Sequence, residues 1–150
     1  MKTALITVGV AAVLLIGGSL WSNSLANSNP DIVSRTGIHW HPHLTIMVGT
    51  TTVPIPEGIG LGPQFAGTPS YDQQMQMAAI HTHDASGTIH MEFDGVVHKD
   101  DLTLGQFFKV WGKDMRSFGT NMRMTVNGVP NTDYEDYVMH DGDKIVLQFN

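Results

Sequence analysis

His81-Thr82-His83-Asp84-Ala85-Ser86-Gly87-Thr88-Ile89-His90-Met91-Glu92 is the stretch on which the reading of this chain turns. Ser86-Gly87 lies midway between two pairs of metal-ligating residues. Folded as a hairpin about that point, the segment sets residue 83 against 90 and 81 against 92. Side chains alternate faces along a strand, and cross-strand partners share a face. A four-residue turn, Asp84 to Gly87, therefore gathers His81, His83, His90 and Glu92 on one patch about 5 Å across. A three-residue loop with Gly87 left-handed would turn His90 to the other face unless a bulge compensates. Three imidazoles and a carboxylate on one face form a coordination shell for a transition metal. The plain alternative is a polar hairpin that happens to carry histidines.

Upstream lies a second cluster, His39-Trp40-His41-Pro42-His43. Ile38 to Val48 reads as a strand with Trp40, Leu44, Ile46 and Val48 on its core face. His39, His41 and His43 fall on the opposite face, aligned if the segment is extended. Pro42 starts that strand near 43 or keeps it on an edge. Gly49-Thr50 turns the chain and Thr52 to Ile55 returns it, pairing Val48 with Thr51, Ile46 with Val53 and Leu44 with Ile55. The two histidine clusters share one site or form two. Pro56 to Ser70 is rich in Gly and Pro and reads as a lid or binding loop.

Downstream, Thr103-Leu104-Gly105-Gln106 is a capping box, followed by Leu104, Phe107, Phe108 and Trp111 as one apolar helical stripe. Gly112 ends that helix. The aromatic cluster is expected to pack in the core. Met122 to Val126 alternates as a strand, and Asn127-Gly128 is a strong hairpin-turn signal. Asp141-Gly142-Asp143 turns into a last strand, Lys144 to Phe149, with Ile145, Leu147 and Phe149 on one face. The expected fold is mainly β (α+β). It has about six or seven short antiparallel strands or hairpins and one amphipathic helix at about 103–112.

Length and composition bound the function. The 150 residues suffice for one domain with its own core. Residues 4–21 carry no charge, Lys2 precedes them and a polar stretch follows, as in an export signal. Ser24-Leu25-Ala26 offers a cleavage site, while eighteen apolar residues also suffice as a membrane anchor. The expected organisation is a signal peptide or anchor at 1–26, a linker at 27–37 and one histidine-rich metal-binding domain at 38–150. Such a protein is periplasmic or extracellular, or anchored to the outer face of the cytoplasmic membrane.

The net charge of −6 argues against nucleic acid or anionic lipid as a partner of the domain and suits cations. The chain has no cysteine, so a metal must be held by nitrogen, oxygen or thioether sulfur. That excludes a blue-copper centre. Calcium and magnesium prefer all-oxygen shells. Imidazole-rich sites suit Cu(II), Zn, Ni and Fe(II), and the affinity order favours copper, with zinc second. Met75, Met77, Met91, Met122 and Met124 are either core filling or thioethers for Cu(I). His98 and His140 read as surface or turn residues. Asp84 either caps its turn or orients a ligand imidazole. The cupin pattern does not fit, since Glu92 stands nine residues past His83. No phosphate loop, Gly-x-Ser-x-Gly or His-Glu-x-x-His occurs.

Taken together, His39-Trp40-His41-Pro42-His43-Leu44, the 81–92 motif, and Leu104-Gly105-Gln106-Phe107-Phe108 with Trp111-Gly112 resemble a family of small exported or membrane-anchored prokaryotic His-rich proteins. The resemblance spans about residues 38–150 and implies export but no activity. Val126-Asn127-Gly128 followed by Asp141-Gly142-Asp143-Lys144-Ile145 is also similar to the closing strands of β-grasp domains.

The expected function is extracytoplasmic binding of a transition metal, copper first, for capture, buffering or delivery to a metal-accepting membrane or extracytoplasmic protein. The expected ligands are His81, His83, His90 and Glu92, joined by His41 and by His39 or His43. One alternative is a metal-dependent oxidase or hydrolase on the same residues. Another is an envelope-anchored interaction module whose histidines sense pH.

Overall fold

The computed structural model describes residues 13–24 and 29–150. The chain divides into two compact units, Met1–Asp31 and Ile32–Asn150. In the first, residues 13–24 are helical and exposed. Among the described residues no helix is long and apolar enough to cross a membrane. The expected signal or anchor at 1–26 lies partly outside the described residues.

The second unit is mainly β, with a short amphipathic helix and three sheets among the described residues. The largest sheet has the order β4-β3-β10-β8-β9. Its strands are β3 (His43–Val48), β4 (Thr51–Val53), β8 (Arg123–Val126), β9 (Val129–Asn131) and β10 (Lys144–Phe149). Local sequence accounts for its two hairpins, β3–β4 and β8–β9. β3 and β4 pair as their apolar faces require, Val48 with Thr51 and Ile46 with Val53. Asn127 and Gly128 take positive φ values of 53° and 81°, the two-residue turn that matches strand twist. β10 pairs with β3 in parallel and with β8 antiparallel. Leu44, Ile46, Met124, Ile145, Leu147 and Phe149 are buried on its inner face.

The Leu104–Trp111 helix sends its apolar stripe into the same core. The Thr103 hydroxyl accepts from the Gln106 amide, and Gly112 closes the helix at φ 70°. Leu104, Phe107 and Phe108 are buried, as the stripe required, and Trp111 packs partly buried beside them.

A small second sheet has the order β2-β6-β5. Its strands are β2 (Ile38–Trp40), β5 (Ile80–His81) and β6 (His90–Phe93). One face, with Ile38, Trp40, Ile80, Met91 and Phe93, packs against the common core. A third pairing joins β1 (Ile32–Ser34) to β7 (Val97–His98), so a strand lies within the stretch read as linker. Among the described residues the strands number ten rather than six or seven, because several run only two or three residues.

The single strand expected from Ile38 to Val48 is in fact two. Pro42 lacks an amide donor, and β2 and β3 separate around it into different sheets. His39 and His43 therefore do not share a face.

Candidate metal centre

The outward face of the β2-β6-β5 sheet carries the imidazoles. His39 pairs with Glu92, and His90 pairs with His81, across the two ladders. The expected register, 83 with 90 and 81 with 92, is thus corrected by two residues. The cause lies outside the segment. Leu44 donates its amide to the Gly87 carbonyl at 2.9 Å, and Ile89 donates to the Pro42 carbonyl at 2.9 Å. Ile89 is fully buried. Gly87, at φ 93°, lies so close to the Leu44 carbonyl that a Cβ would collide with it. Residues 82–89 are drawn against β3 as a wide loop, and the ladder closes only at His81 and His90.

The loop still returns His83 to the group. His81 Nε2 and His83 Nε2 are 3.2 Å apart. Two nitrogens bound at 2.0–2.1 Å in a tetrahedral shell stand about 3.3 Å apart. The ring centres of His81 and His90 are 5.4 Å apart, and those of His83 and His90 4.6 Å. Ligand atoms of His81, His83 and His90 all lie within 4.8 Å of one another.

A backbone contact sets the tautomer. His81 Nδ1 lies 2.9 Å from the Ala78 carbonyl, an acceptor, so Nδ1 carries the proton and donates. Nε2 of His81 is left with its lone pair facing His83. This is the outer hydrogen bond that metal-ligating imidazoles ordinarily make. Without metal, His83 Nε2–H donates to it.

A second group adjoins the first. Ligand atoms of His39, His41 and His90 also lie within 4.8 Å of one another. His39 Nε2 is 3.2 Å from Glu92 Oε1, and His90 Nδ1 is 4.0 Å from the same oxygen. His43 joins neither group. Its ring is exposed and lies beside Gly87, on the β3 side of the wide loop.

Burial and charge agree with neutral rings. Burial is the main cause that pushes the His81 pKa down, with repulsion from His83 added, against the raising effect of the Ala78 contact. Burial also pushes His90 down, followed by repulsion from His83 and His41. Neutral imidazole is the form that binds metal.

The remaining candidates separate clearly. Asp84 accepts from the Ser86 amide at 2.8 Å and so caps its turn. His98 is exposed on β7, where its amide donates to Asp101. His140 stacks on Trp40 at 5.8 Å, with its Nδ1 3.6 Å from Asp143. Met91 and Met124 are core, whereas Met75 is exposed. The Pro56–Gly60 end of the Pro56–Ser70 loop is bonded to β5 and its neighbours. The Thr82 hydroxyl donates to the Pro56 carbonyl at 2.8 Å, Thr82 N donates to Ile59, and Ala78 N donates to Gly60. These bonds hold β5, and with it His81, from behind.

Sequence reasoning passed over Asp141. Its Oδ1 accepts from the His41 amide at 2.8 Å and lies 3.8 Å from His41 Nδ1. The two residues are one hundred positions apart, so no local spacing could have linked them. An open groove of about 690 Å³ also runs up to the His39 end of the row. His39, Glu92, Tyr71, Asp72, Met75, Met77 and Asp94 are among the residues that line it.

No family model, curated protein or solved structure matches the chain.

Proposed function

We propose that the Ile32–Asn150 unit binds a divalent transition metal through His81, His83 and His90, for capture, buffering or delivery outside the cytoplasm. The observation that carries this reading is the paired Nε2 atoms of His81 and His83 at 3.2 Å, with the His81 ring fixed by Ala78. Without metal the pair is a hydrogen bond; when His83 shifts its proton to Nδ1, the two Nε2 lone pairs converge on one point, the arrangement a metal takes. Copper leads on affinity order among thiolate-free imidazole sites, and zinc follows. Export rests on the apolar stretch at residues 4–21 and on the family resemblance. In that setting the recipient is a metal-accepting membrane or extracytoplasmic protein.

One observation favours a second reading. The groove beside His39 and Glu92 has the volume of an ordinary small-molecule site. A metal held at the row would border it, and Glu92 would then serve as base in a metal-dependent hydrolase or oxidase.

Metal analysis of protein purified without a nickel column, followed by titration with copper and zinc, tests the first reading. Sub-micromolar binding of at least one ion supports it. Affinity no tighter than millimolar would end it. Turnover of ester, phosphate or phenolic substrates that vanishes with chelator and with Glu92→Gln would select the second.

A further inference from the structure

The imidazole row is longer than one ion needs. Consecutive ring centres run His39 to His41 at 4.8 Å, His41 to His90 at 4.8 Å, His90 to His83 at 4.6 Å and His83 to His81 at 4.7 Å. Five imidazoles and a carboxylate exceed the four positions of a tetrahedral shell. They divide into two groups of converging ligand atoms, and only His90 belongs to both.

The chemistry of His90 permits that double membership. An imidazole has two ring nitrogens on different edges, and each binds a different ion. Nδ1 of His90 lies on the Glu92 side, 4.0 Å from Oε1. The same Oε1 is 3.2 Å from His39 Nε2, so the Nδ1 edge faces the His39–His41 group. Nε2 then remains for the His81–His83 group, whose rings lie against His90 on the other side of the row.

Charge supports an ion at the open end. Two cations sharing one ring repel each other, and the repulsion falls when anionic groups lie near. Glu92 sits between His39 and His90, and Asp141 holds His41 by its amide. The His39–His41 group is the more exposed of the two, while His81 is fully buried.

We propose that the row is a two-ion centre, with one divalent ion at His81 and His83, a second at His39, His41 and Glu92, and His90 bridging them. The proposal rests on the metal-binding reading above. The first ion takes Nε2 of His90. The second takes Nδ1 and displaces the proton there, which leaves to solvent, so the bridge is an imidazolate. The two ions then stand on the order of 6 Å apart, given metal–nitrogen bonds of 2.0–2.1 Å.

The test uses the full chain, stripped with chelator and loaded stepwise with Cu(II), followed by native mass spectrometry and electron paramagnetic resonance. Two ions per chain are expected. The first equivalent gives an isolated Cu(II) signal, and the second diminishes it through coupling across the bridge. The His39→Ala/His41→Ala double variant, altered only at exposed rings, should hold one ion with an undiminished signal. His83→Ala should also hold one. A single ion in the unaltered protein would overturn the two-ion proposal and leave the metal-binding reading standing. Two ions with simply additive signals would overturn the His90 bridge. No ion at all would overturn both.

Discussion

The five-stranded and three-stranded sheets use the same alternation of side chains for different ends. In the larger sheet, the alternating residues Ile145, Leu147 and Phe149 are all buried and apolar. In the smaller one, a core face of Ile80, Met91 and Phe93 backs a row of imidazoles and one carboxylate. The larger sheet stabilises the unit. The smaller sheet borrows that stability to hold like groups together. Imidazoles packed side by side add little cohesion of their own, and His81 and His90 lose hydration by burial. The difference teaches that the ligand row needs a scaffold fixed elsewhere, and substitutions should separate the two roles.

The largest effect is expected in the scaffold. Leu147→Ala should cost about 2–5 kcal/mol of folding stability, through lost burial and the cavity left behind. Denaturant unfolding measures this, and metal affinity of the folded fraction should be unchanged. An unaltered midpoint would break the comparison from the scaffold side.

His83→Ala should do the opposite. It removes a ligand at an exposed position, so stability should barely move. Metal affinity should fall by more than the 10–100-fold that loss of an outer hydrogen-bond partner costs. Competition with a calibrated chelator reads the change, and full affinity in the variant would remove His83 from the shell.

Gly60→Ala joins the two regions. Gly60 has φ 79°, and a Cβ there would stand 2.5 Å from the Ile80 carbonyl oxygen and 2.9 Å from His81 Cβ. A destabilisation of about 1–3 kcal/mol is expected from the strained backbone, together with weaker metal binding as His81 is displaced. Loss of stability with binding intact would show that the Gly60 clamp does not position the ligand.

The effect of pH is smaller and has a definite sign. Histidine ordinarily titrates near 6.5, and burial lowers His81 and His90 in the folded protein. Between those lowered values and 6.5 the unfolded chain binds more protons than the folded one. Stability of the metal-free protein should therefore be highest above 6.5 and decline as pH falls through that window. Thermal melts in chelator from pH 7.5 to 5 test this, and a melting temperature that rises on acidification would refute it. Metal affinity should also fall on acidification, more steeply than one proton would give, since several rings lose their lone pairs together.

The smallest effect belongs to His140→Ala. That ring stacks on Trp40 and lies in neither converging group. Metal affinity should change by less than about threefold, under 1 kcal/mol.

The same contrast governs how much the sequence could tell. The β3–β4 register, the capped helix, the Asn127-Gly128 turn and the Lys144–Phe149 strand were legible because neighbouring residues determine them. The identity of the clustered imidazoles was legible too, from ligand type and alternation. Their pairing was not. Gly87 and Ile89 are held by Pro42 and Leu44, more than forty positions away, and that pull sets the His81–His90 register. His43 was misplaced for a related reason, since Pro42 sends β3 into another sheet. The Asp141 contact to His41 and the β1–β7 pairing are likewise products of tertiary packing.

Imidazole nitrogen chemical shifts give the most direct test of the central claim, that the His81, His83 and His90 rings converge on a metal. Uniformly ¹⁵N-labelled protein would be stripped with chelator and titrated with zinc, a diamagnetic ion. The account predicts that Nε2 of His81 and Nε2 of His83 move together to metal-bound shifts at the first equivalent. Nδ1 of His81 should remain protonated against Ala78, and the rings of His98 and His140 should stay put. Unchanged shifts at His81 and His83, with movement confined to His98 or His140, would contradict it.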